Sequence, residues 1–259
     1  MAVYITGDKH GDFLSDHLDY AKVRQFCEDH HTTKEDVMVV LGDHGVRFFP
    51  DNDWATLRDM NRLEKMPIRF VLIRGNHDRR VNKNNPNLQT VTVTQKEISG
   101  TFYRYEDFPH LLFPKEYGWY SFAGHPTFII CGAYSIDKEY RLMMQTSIPF
   151  WFRDEQLSAF ERKKAFEKYK AAGKPPASGF LLMSHTCPLQ SRPVNALLRQ
   201  FEDVKEDTTM ERWMDEIADY TVDGVRPWAK WYCGHFHVDE TIGNVRFMYH
   251  DIIQLEEAP

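Results

Sequence analysis

Eight polar side chains of the metal-ligand and acid–base types follow apolar segments spaced along most of the chain. They are Asp8, His10, Asp43, Asn76, His77, His185, His235 and His237. All are oxygen or imidazole donors, a set that favours divalent ions such as Mn, Fe or Zn over soft-metal or cluster chemistry. A set of this size has too many ligands for one catalytic ion with open positions, whereas it suits two ions that share a carboxylate. Two ions about 3.5–4 Å apart can clamp the attacking and leaving oxygens of a phosphoryl displacement.

The segments that precede these side chains are predicted to be buried strands. The run at 70–73 is apolar without alternation and leads into Gly75, as expected for a central strand. Further strands are predicted at 3–6, 36–41, 127–132, 180–183 and 230–233, and one at 245–249 is expected to close the sheet. Because ligands bind at the carboxyl ends of strands in open α/β sheets, we expect the eight side chains at one edge.

Helical periodicity and capping residues predict helices between the strands. They run from Ser15 to about residue 30, from 51 to 65, from Asp154 to about 172, and from 209 to 220. The alternation of strand and helix in the first third predicts an α/β fold with parallel strands in right-handed crossovers. The stretch from about 81 to 122 instead reads as short antiparallel strands, an insertion or edge layer within a single domain of residues 1–259.

Charge and composition exclude some classes of function. The chain has 259 residues, a formal charge of -6 and 42% apolar residues, so we expect a sizeable core and no affinity for long nucleic acids. The four cysteines form no C-x-x-C pair, which favours free thiols in a reducing compartment. No apolar run of 18 residues and no signal peptide is recognisable. We therefore expect a cytoplasmic protein with no membrane partner.

Five short motifs in a fixed order carry a family resemblance. They are Gly7-Asp8-x-His10-Gly11, Gly42-Asp43, Gly75-Asn76-His77-Asp78, Ser184-His185 and Gly234-His235-x-His237. Each is weak alone, but this order at successive strand ends resembles the calcineurin-like metallophosphoesterases. The resemblance spans Gly7 to His237 and implies a four-layer α/β/β/α sandwich with a dinuclear metal site at the carboxyl ends of the strands.

The resemblance also implies roles for the eight residues. Asp8, His10 and His237 would hold the first ion, Asp43 would bridge, and Asn76, His185 and His235 would complete the second. His77 would be the unligated histidine that contacts the phosphate and protonates the leaving oxygen. The implied protein is a hydrolase acting on ester bonds of a phosphorylated substrate, a phosphatase that uses metal-activated hydroxide.

The chain departs from the Ser/Thr protein phosphatases of that superfamily. Val46 replaces the acid that orients the catalytic histidine in those enzymes, and His44 or Asp78 could take part of its role. Arg47 remains in register as a contact to the substrate phosphate. The loop at 132–137 and the late Gly-His-x-His look more like the bacterial and phage branch.

Two other functions stay open at this point. One is a phosphodiesterase or nuclease that acts on a nucleotide with the same metal centre. The other is a binding scaffold that keeps the metallophosphoesterase fold without catalysis, although no ligand and no acid of the motif set is missing.

Overall fold

The computed structural model describes residues 1–10, 20–144, 150–194 and 206–258. Its strands are β1 Val3–Thr6, β2 Val37–Val40, β3 Arg69–Leu72, β4 Leu88–Thr94, β5 Ile98–Tyr105, β6 Leu111–Pro114, β7 Tyr117–Phe122, β8 His125–Ile130, β9 Phe180–Ser184, β10 Trp228–Cys233, β11 Glu240–Ile242, β12 Val245–Phe247 and β13 Ile252–Leu255. Its α-helices are α1 Tyr20–Asp29, α2 Trp54–Glu64, α3 Lys138–Met143, α4 Ala159–Lys170 and α5 Thr209–Ala218.

The strands form one large sheet in two halves that meet at β6. The first half has the order β13-β1-β2-β3-β6, and the second continues as β5-β7-β8-β9-β10-β12-β11, with β4 paired to β5. Strands β1, β2, β3 and β6 run parallel, as do β8, β9, β10 and β12. The predicted parallel strands of the first third are therefore confirmed.

Alternate residues of each half face two different cores, which stack the molecule in four layers. Ile5 and Val39 of the first half share a core with Ile129 and Met183 of the second, so the halves pack face to face. The other faces of the first half, such as Met38, pack with residues of α1 and α2. On the second half the outer core includes residues of α4 and α5. The order is helix, sheet, sheet, helix, as the α/β/β/α prediction requires.

Two predicted helix starts need correction. Helix α4 begins after Ser158, whose hydroxyl accepts a hydrogen bond from Glu161 N in a capping box, and not at Asp154. Helix α2 begins after Asp53, whose carboxylate accepts from Ala55 N, since Asp51 pairs with an arginine instead. The predicted cap Ser15 lies outside the described residues.

The chain also contains elements that the sequence pattern did not indicate. Strands β11 and β13 and helix α3 fall in segments for which no element was predicted, and β6, in the stretch predicted to hold antiparallel strands, is antiparallel to β5 but parallel to β3. The strand at 245–249 does not close the sheet: it is β12, between β10 and β11, and β13 pairs with β1 at the far edge of the other half. In the 81–122 stretch, β4 lies beside β5 while β5, β6 and β7 join the two halves. No helix among the described residues is long and apolar enough to span a membrane.

Candidate metal centre

The eight chemistry-bearing side chains follow five parallel strands where those strands end. Asp8 and His10 follow β1, Asp43 follows β2, Asn76 and His77 follow β3, His185 follows β9, and His235 and His237 follow β10. The structure brings them to one site. Ligand-type atoms lie within 4.8 Å of one another in each of three groups: Asp8 with His10 and His237, His10 with Asp43 and His77, and Asp43 with His185 and His235.

The first group converges on a small space. His10 Nε2 lies 2.9 Å from His237 Nε2, and His237 Nε2 lies 3.0 Å from Asp8 Oδ2. The Asp8 carboxylate is held in place by the backbone N–H of His235, at 3.1 and 3.0 Å from its two oxygens. Two imidazole nitrogens and a carboxylate oxygen that face one another form a donor set suited to a divalent transition ion.

The group of Asp43, His185 and His235 is organised around His185. Its Nδ1–H donates to the Leu41 carbonyl at 2.8 Å, which turns Nε2 toward Asn76 Oδ1 at 2.9 Å and Asp43 Oδ2 at 3.3 Å. A backbone carbonyl on the far ring nitrogen is the usual way to orient a metal-binding histidine. The geometry therefore fits the second ligand set, Asn76, His185 and His235 with Asp43.

A buried hydrogen-bond chain that the sequence did not reveal orients the Asn76 amide. Its Nδ2 donates to Ser135 Oγ at 3.0 Å, so its oxygen is the atom left to face His185. The Ser135 hydroxyl donates to Glu155, whose other oxygen accepts from Ser135 N at 3.0 Å. Ser135 and Glu155 are 1% and 2% exposed. Ser135 lies in the loop between β8 and α3 and Glu155 lies between α3 and α4, so both are far along the chain from β3.

Two glycines allow the ligand side chains to approach the backbone closely. A Cβ on Gly75 would lie 2.1 Å from Asp43 Oδ1, and one on Gly234 would lie 2.4 Å from Asp8 Oδ1. Any larger residue would displace these carboxylates. The two motif glycines therefore leave the space in which Asp43 and Asp8 can act as metal ligands.

Charge interactions in the centre favour ionised carboxylates. Burial works to raise the pKa of Asp43, but the nearby charge of His185 outweighs it and holds the pKa well below its ordinary value. Burial would lower the pKa of His185, yet Asp43 and Asp8 raise it to about 9. Burial lowers the pKa of His235 to about 3, so this ring is neutral at physiological pH. The centre thus combines anionic oxygens with a neutral His235 ring and a His185 ring that must lose its proton before it can bind a cation.

A family model described as calcineurin-like phosphoesterase matches residues 1–239. The chain belongs to this family. No curated protein matches the chain in sequence. Calcineurin-like phosphoesterases generally use divalent metals, and membership supports a hydrolase that acts on phosphoesters. The closer assignment to the bacterial and phage branch, and the individual ligand roles, stay predictions.

His77, the histidine that the calcineurin-like resemblance leaves unligated, lies at the edge of the centre. Its backbone N–H donates to Asp43 Oδ1 at 2.8 Å, and its Nε2 lies 3.7 Å from Asp43 Oδ2. On the other side Arg141 Nη2 lies 2.7 Å from His77 Nδ1 and also contacts Nε2. Burial holds the pKa of His77 well below its ordinary value; Asp43 opposes this shift, and Arg141 adds to it.

The residues near Val46 pack beneath the loops that carry Asp43 and Asn76. Val46 is buried in the core beneath α2. Asp78 is fully buried and its carboxylate accepts the backbone N–H groups of His44, Gly45 and Gly75 at 2.9–3.1 Å. Burial lowers the pKa of His44 to about 3, so its ring is neutral, and its Nδ1 accepts from Val46 N at 3.2 Å. Asp78 and His44 therefore tie the loops after β2 and β3 together.

Arg47, the predicted contact to the substrate phosphate, is occupied by protein partners. Its guanidinium pairs with Asp51 at 3.0 Å, donates to the Arg80 carbonyl at 2.8 Å and contacts the Tyr105 hydroxyl. It lies at the base of a cleft of about 770 Å³ that is lined by none of the eight chemistry-bearing residues. Its substrate role stays a prediction, and its contacts favour a structural one.

Proposed function

We propose that the protein hydrolyses phosphoesters with two divalent ions, Mn, Fe or Zn, held at the centre described above. The observation that carries the proposal is the arrangement of donor atoms in three overlapping groups. Asp43 shares one group with His185 and His235 and another with His10, as expected of a carboxylate between two ions, and the outer groups contain every residue of the two implied ligand sets except Asn76.

Asp8, His10 and His237 would hold one ion and Asn76, His185 and His235 the other, with Asp43 between them. Such ions offset the charge of a phosphoryl group and activate water as the nucleophile. The chain supplies the rest of the chemistry. Asp43 also fixes the backbone of His77 through Oδ1, so the bridging residue and the proposed acid are mechanically linked.

His77 is the proposed general acid that protonates the leaving oxygen. In the free protein its ring is neutral, because burial and Arg141 disfavour the cation. An anionic phosphoryl group next to the ring favours the imidazolium by charge attraction, so substrate binding itself would charge the acid. Positioned acids of this kind contribute about 10²–10⁴-fold to rates.

The proposed substrate is a small phosphoester. The net charge of -6 disfavours long nucleic acids, whose affinity for proteins depends on an excess of positive charge. A nucleotide phosphodiester is the alternative that shares this centre.

The test combines metal content with turnover. Elemental analysis of purified protein should find about two equivalents of divalent ion, and p-nitrophenyl phosphate hydrolysis should depend on them. Asp43→Ala should abolish turnover and lower the metal content, whereas Asp29→Ala on the exposed end of α1 should change neither. Faster cleavage of bis-p-nitrophenyl phosphate than of the monoester would assign a diesterase.

Two results would contradict the proposal. Full activity of Asp43→Ala would exclude the bridging carboxylate. A metal-loaded protein with no turnover on a broad phosphoester panel would instead indicate a binding scaffold with this fold.

A further inference from the structure

Arg141 reaches the centre from helix α3, an element that contributes none of the predicted ligands. Its side chain is nearly buried, with 5% of the residue exposed. Its Nε pairs with Asp137 at 2.8 Å, one turn earlier, and its Nη2 contacts both nitrogens of the His77 ring. One edge of the guanidinium is thus anchored and the other faces the proposed acid.

The contact with His77 does not satisfy this second edge. An imidazole ring offers at most one acceptor nitrogen, and at physiological pH neither group carries a negative charge. The remaining Nη1 group has a long bond of 3.5 Å to the Phe150 carbonyl. A guanidinium whose forked end faces an imidazole and a backbone carbonyl, at the edge of a centre of this type, is a place where an anion would be stabilised.

Three other buried or half-buried arginines near the strand ends are already paired with carboxylates through their terminal nitrogens. Arg47 Nη1 pairs with Asp51 at 3.0 Å, and Arg74 Nη2 pairs with Glu116 at 2.6 Å. Arg80 Nη1 pairs with Glu161 at 2.5 Å. In Arg141 the described ion pair is through Nε alone, which keeps the forked end of the guanidinium directed at His77.

We propose that Arg141 binds a non-bridging oxygen of the substrate's phosphoryl group beside His77, in the role that the sequence motif suggested for Arg47. This inference rests on the proposed phosphoesterase function. Guanidinium groups match phosphate oxygens in geometry and charge, and such charge-assisted bonds are stronger than neutral ones. The phosphoryl group would lie between the ligand cluster and the Arg141–His77 pair, which places the leaving oxygen next to the acid.

The direct test is the affinity for inorganic phosphate, measured by calorimetry on Mn²⁺-loaded protein. Arg141→Ala should weaken phosphate binding roughly 10- to 100-fold, the range for loss of a hydrogen bond to a charged group. Arg141→Lys should recover part of the affinity, because it restores the charge without the fork. Arg153→Ala, which removes an exposed arginine nearby in the chain, should bind phosphate as the wild type does.

The outcomes separate this inference from the function on which it rests. Unchanged phosphate affinity in Arg141→Ala would overturn the inference. If the turnover of this variant were also unchanged, or reduced only for substrates with poor leaving groups, the remaining role of Arg141 would be to position His77. Wild-type protein that binds metal but neither binds phosphate nor cleaves phosphoesters would overturn the proposed function first. Thermal unfolding midpoints of the Ala and Lys variants equal to that of the wild type would show that any loss of affinity is not a loss of fold.

Discussion

Four residues of the candidate centre have left-handed backbone conformations that L-amino acids rarely adopt. The φ angles are 51° for His10, 42° for Asp43, 70° for His235 and 52° for His237. Each such residue costs about 1–3 kcal/mol unless its surroundings enforce it, and functional sites are where such strain accumulates. All four lie in loops that follow a strand, and their ligand-type atoms converge within 4.8 Å in the groups described above.

At the scale of single residues, Ser135 gives the sharpest test of how the amide of Asn76 is oriented. Ser135→Ala removes the acceptor for Nδ2, so the amide is free to turn its oxygen away from His185. Loss of such a supporting bond typically weakens metal affinity about 10- to 100-fold. Competition with a chelator measures this, and Ser121→Ala on β7 is the matched control. Wild-type affinity in Ser135→Ala would mean that the bond does not position Asn76.

Metal affinity should rise with pH, because His185 is protonated in the metal-free protein. Its pKa of about 9 in the metal-free protein, raised by Asp43 and Asp8 against the effect of burial, means that the ring is a cation at neutral pH. A metal requires the neutral ring, so binding must release this proton. Affinity should therefore rise by about tenfold per pH unit from 6.5 to 8.5 if this proton dominates. Calorimetry in buffers of different ionisation enthalpy counts the protons, and an affinity independent of pH in this range would contradict the assignment.

At the scale of elements, the loops after β2 and β3 depend on one carboxylate. Asp78→Ala would leave three buried N–H groups, those of His44, Gly45 and Gly75, without their acceptor. Each unsatisfied buried group costs about 1–3 kcal/mol, so the free energy of unfolding should fall by about 3 kcal/mol or more. Urea unfolding measures the change, with the exposed Asp107→Ala as control. A loss below 1 kcal/mol would show that water replaces the carboxylate.

Helix α5 carries a buried acid that makes stability fall as pH rises. Burial raises the pKa of Glu211 to about 7, while its carboxyl accepts from Thr186 Oγ1 at 3.0 Å. Below about pH 4.5 the group is protonated in folded and unfolded protein alike. Between pH 4.5 and 7 the unfolded chain ionises first, so up to about 3 kcal/mol of stability is lost as pH rises.

Glu211→Gln should remove this penalty. The variant should match the wild type in free energy of unfolding near pH 4.5 and exceed it by up to about 3 kcal/mol at pH 8, the size of the pKa shift. Chemical denaturation at the two pH values measures the difference. Glu216→Gln, on the exposed face of the same helix, should show no such divergence, and equal curves for Glu211→Gln and wild type at pH 8 would rule out the mechanism.

At the scale of the whole molecule, the candidate centre spans both halves of the sheet. Asp8, His10, Asp43 and Asn76 come from the first half and the later histidines from the second. A bound ion would therefore cross-link the two packed layers. At a free-ion concentration 100 times the dissociation constant, binding contributes about 2.7 kcal/mol to stability. Chelation should lower the thermal unfolding midpoint by about 5–10 °C for a chain of this length. Addition of Mn²⁺ should reverse the shift. An unchanged midpoint would mean that metal binding does not stabilise the packing of the two halves.

The parts of this molecule that were predictable from sequence are those with local patterns. A buried strand such as β3 followed by Gly75 and Asn76 is recognisable within ten residues, and parallel strands place such ends together. Ser135 and Arg141 were not recognisable, because their partners Asn76 and His77 lie 59 and 64 residues away. Helix α3 has six residues, too few for helical periodicity to stand out.

The pairing of β1 with β13 has a consequence for the time course of folding. Val3 lies opposite Leu255, so the strand that leads into Asp8 gains its outer neighbour only when residues near 255 are in place. Contacts this distant in sequence are formed slowly, because the chain must close a very large loop before they contribute. Until the residues near 255 have been synthesised, β1 can pair with β2 on one side only, and its other edge stays open. The candidate centre draws its residues from positions 8 to 237, so it can form only after His237 has been synthesised, and the ions would be acquired after the strands of both halves are in place.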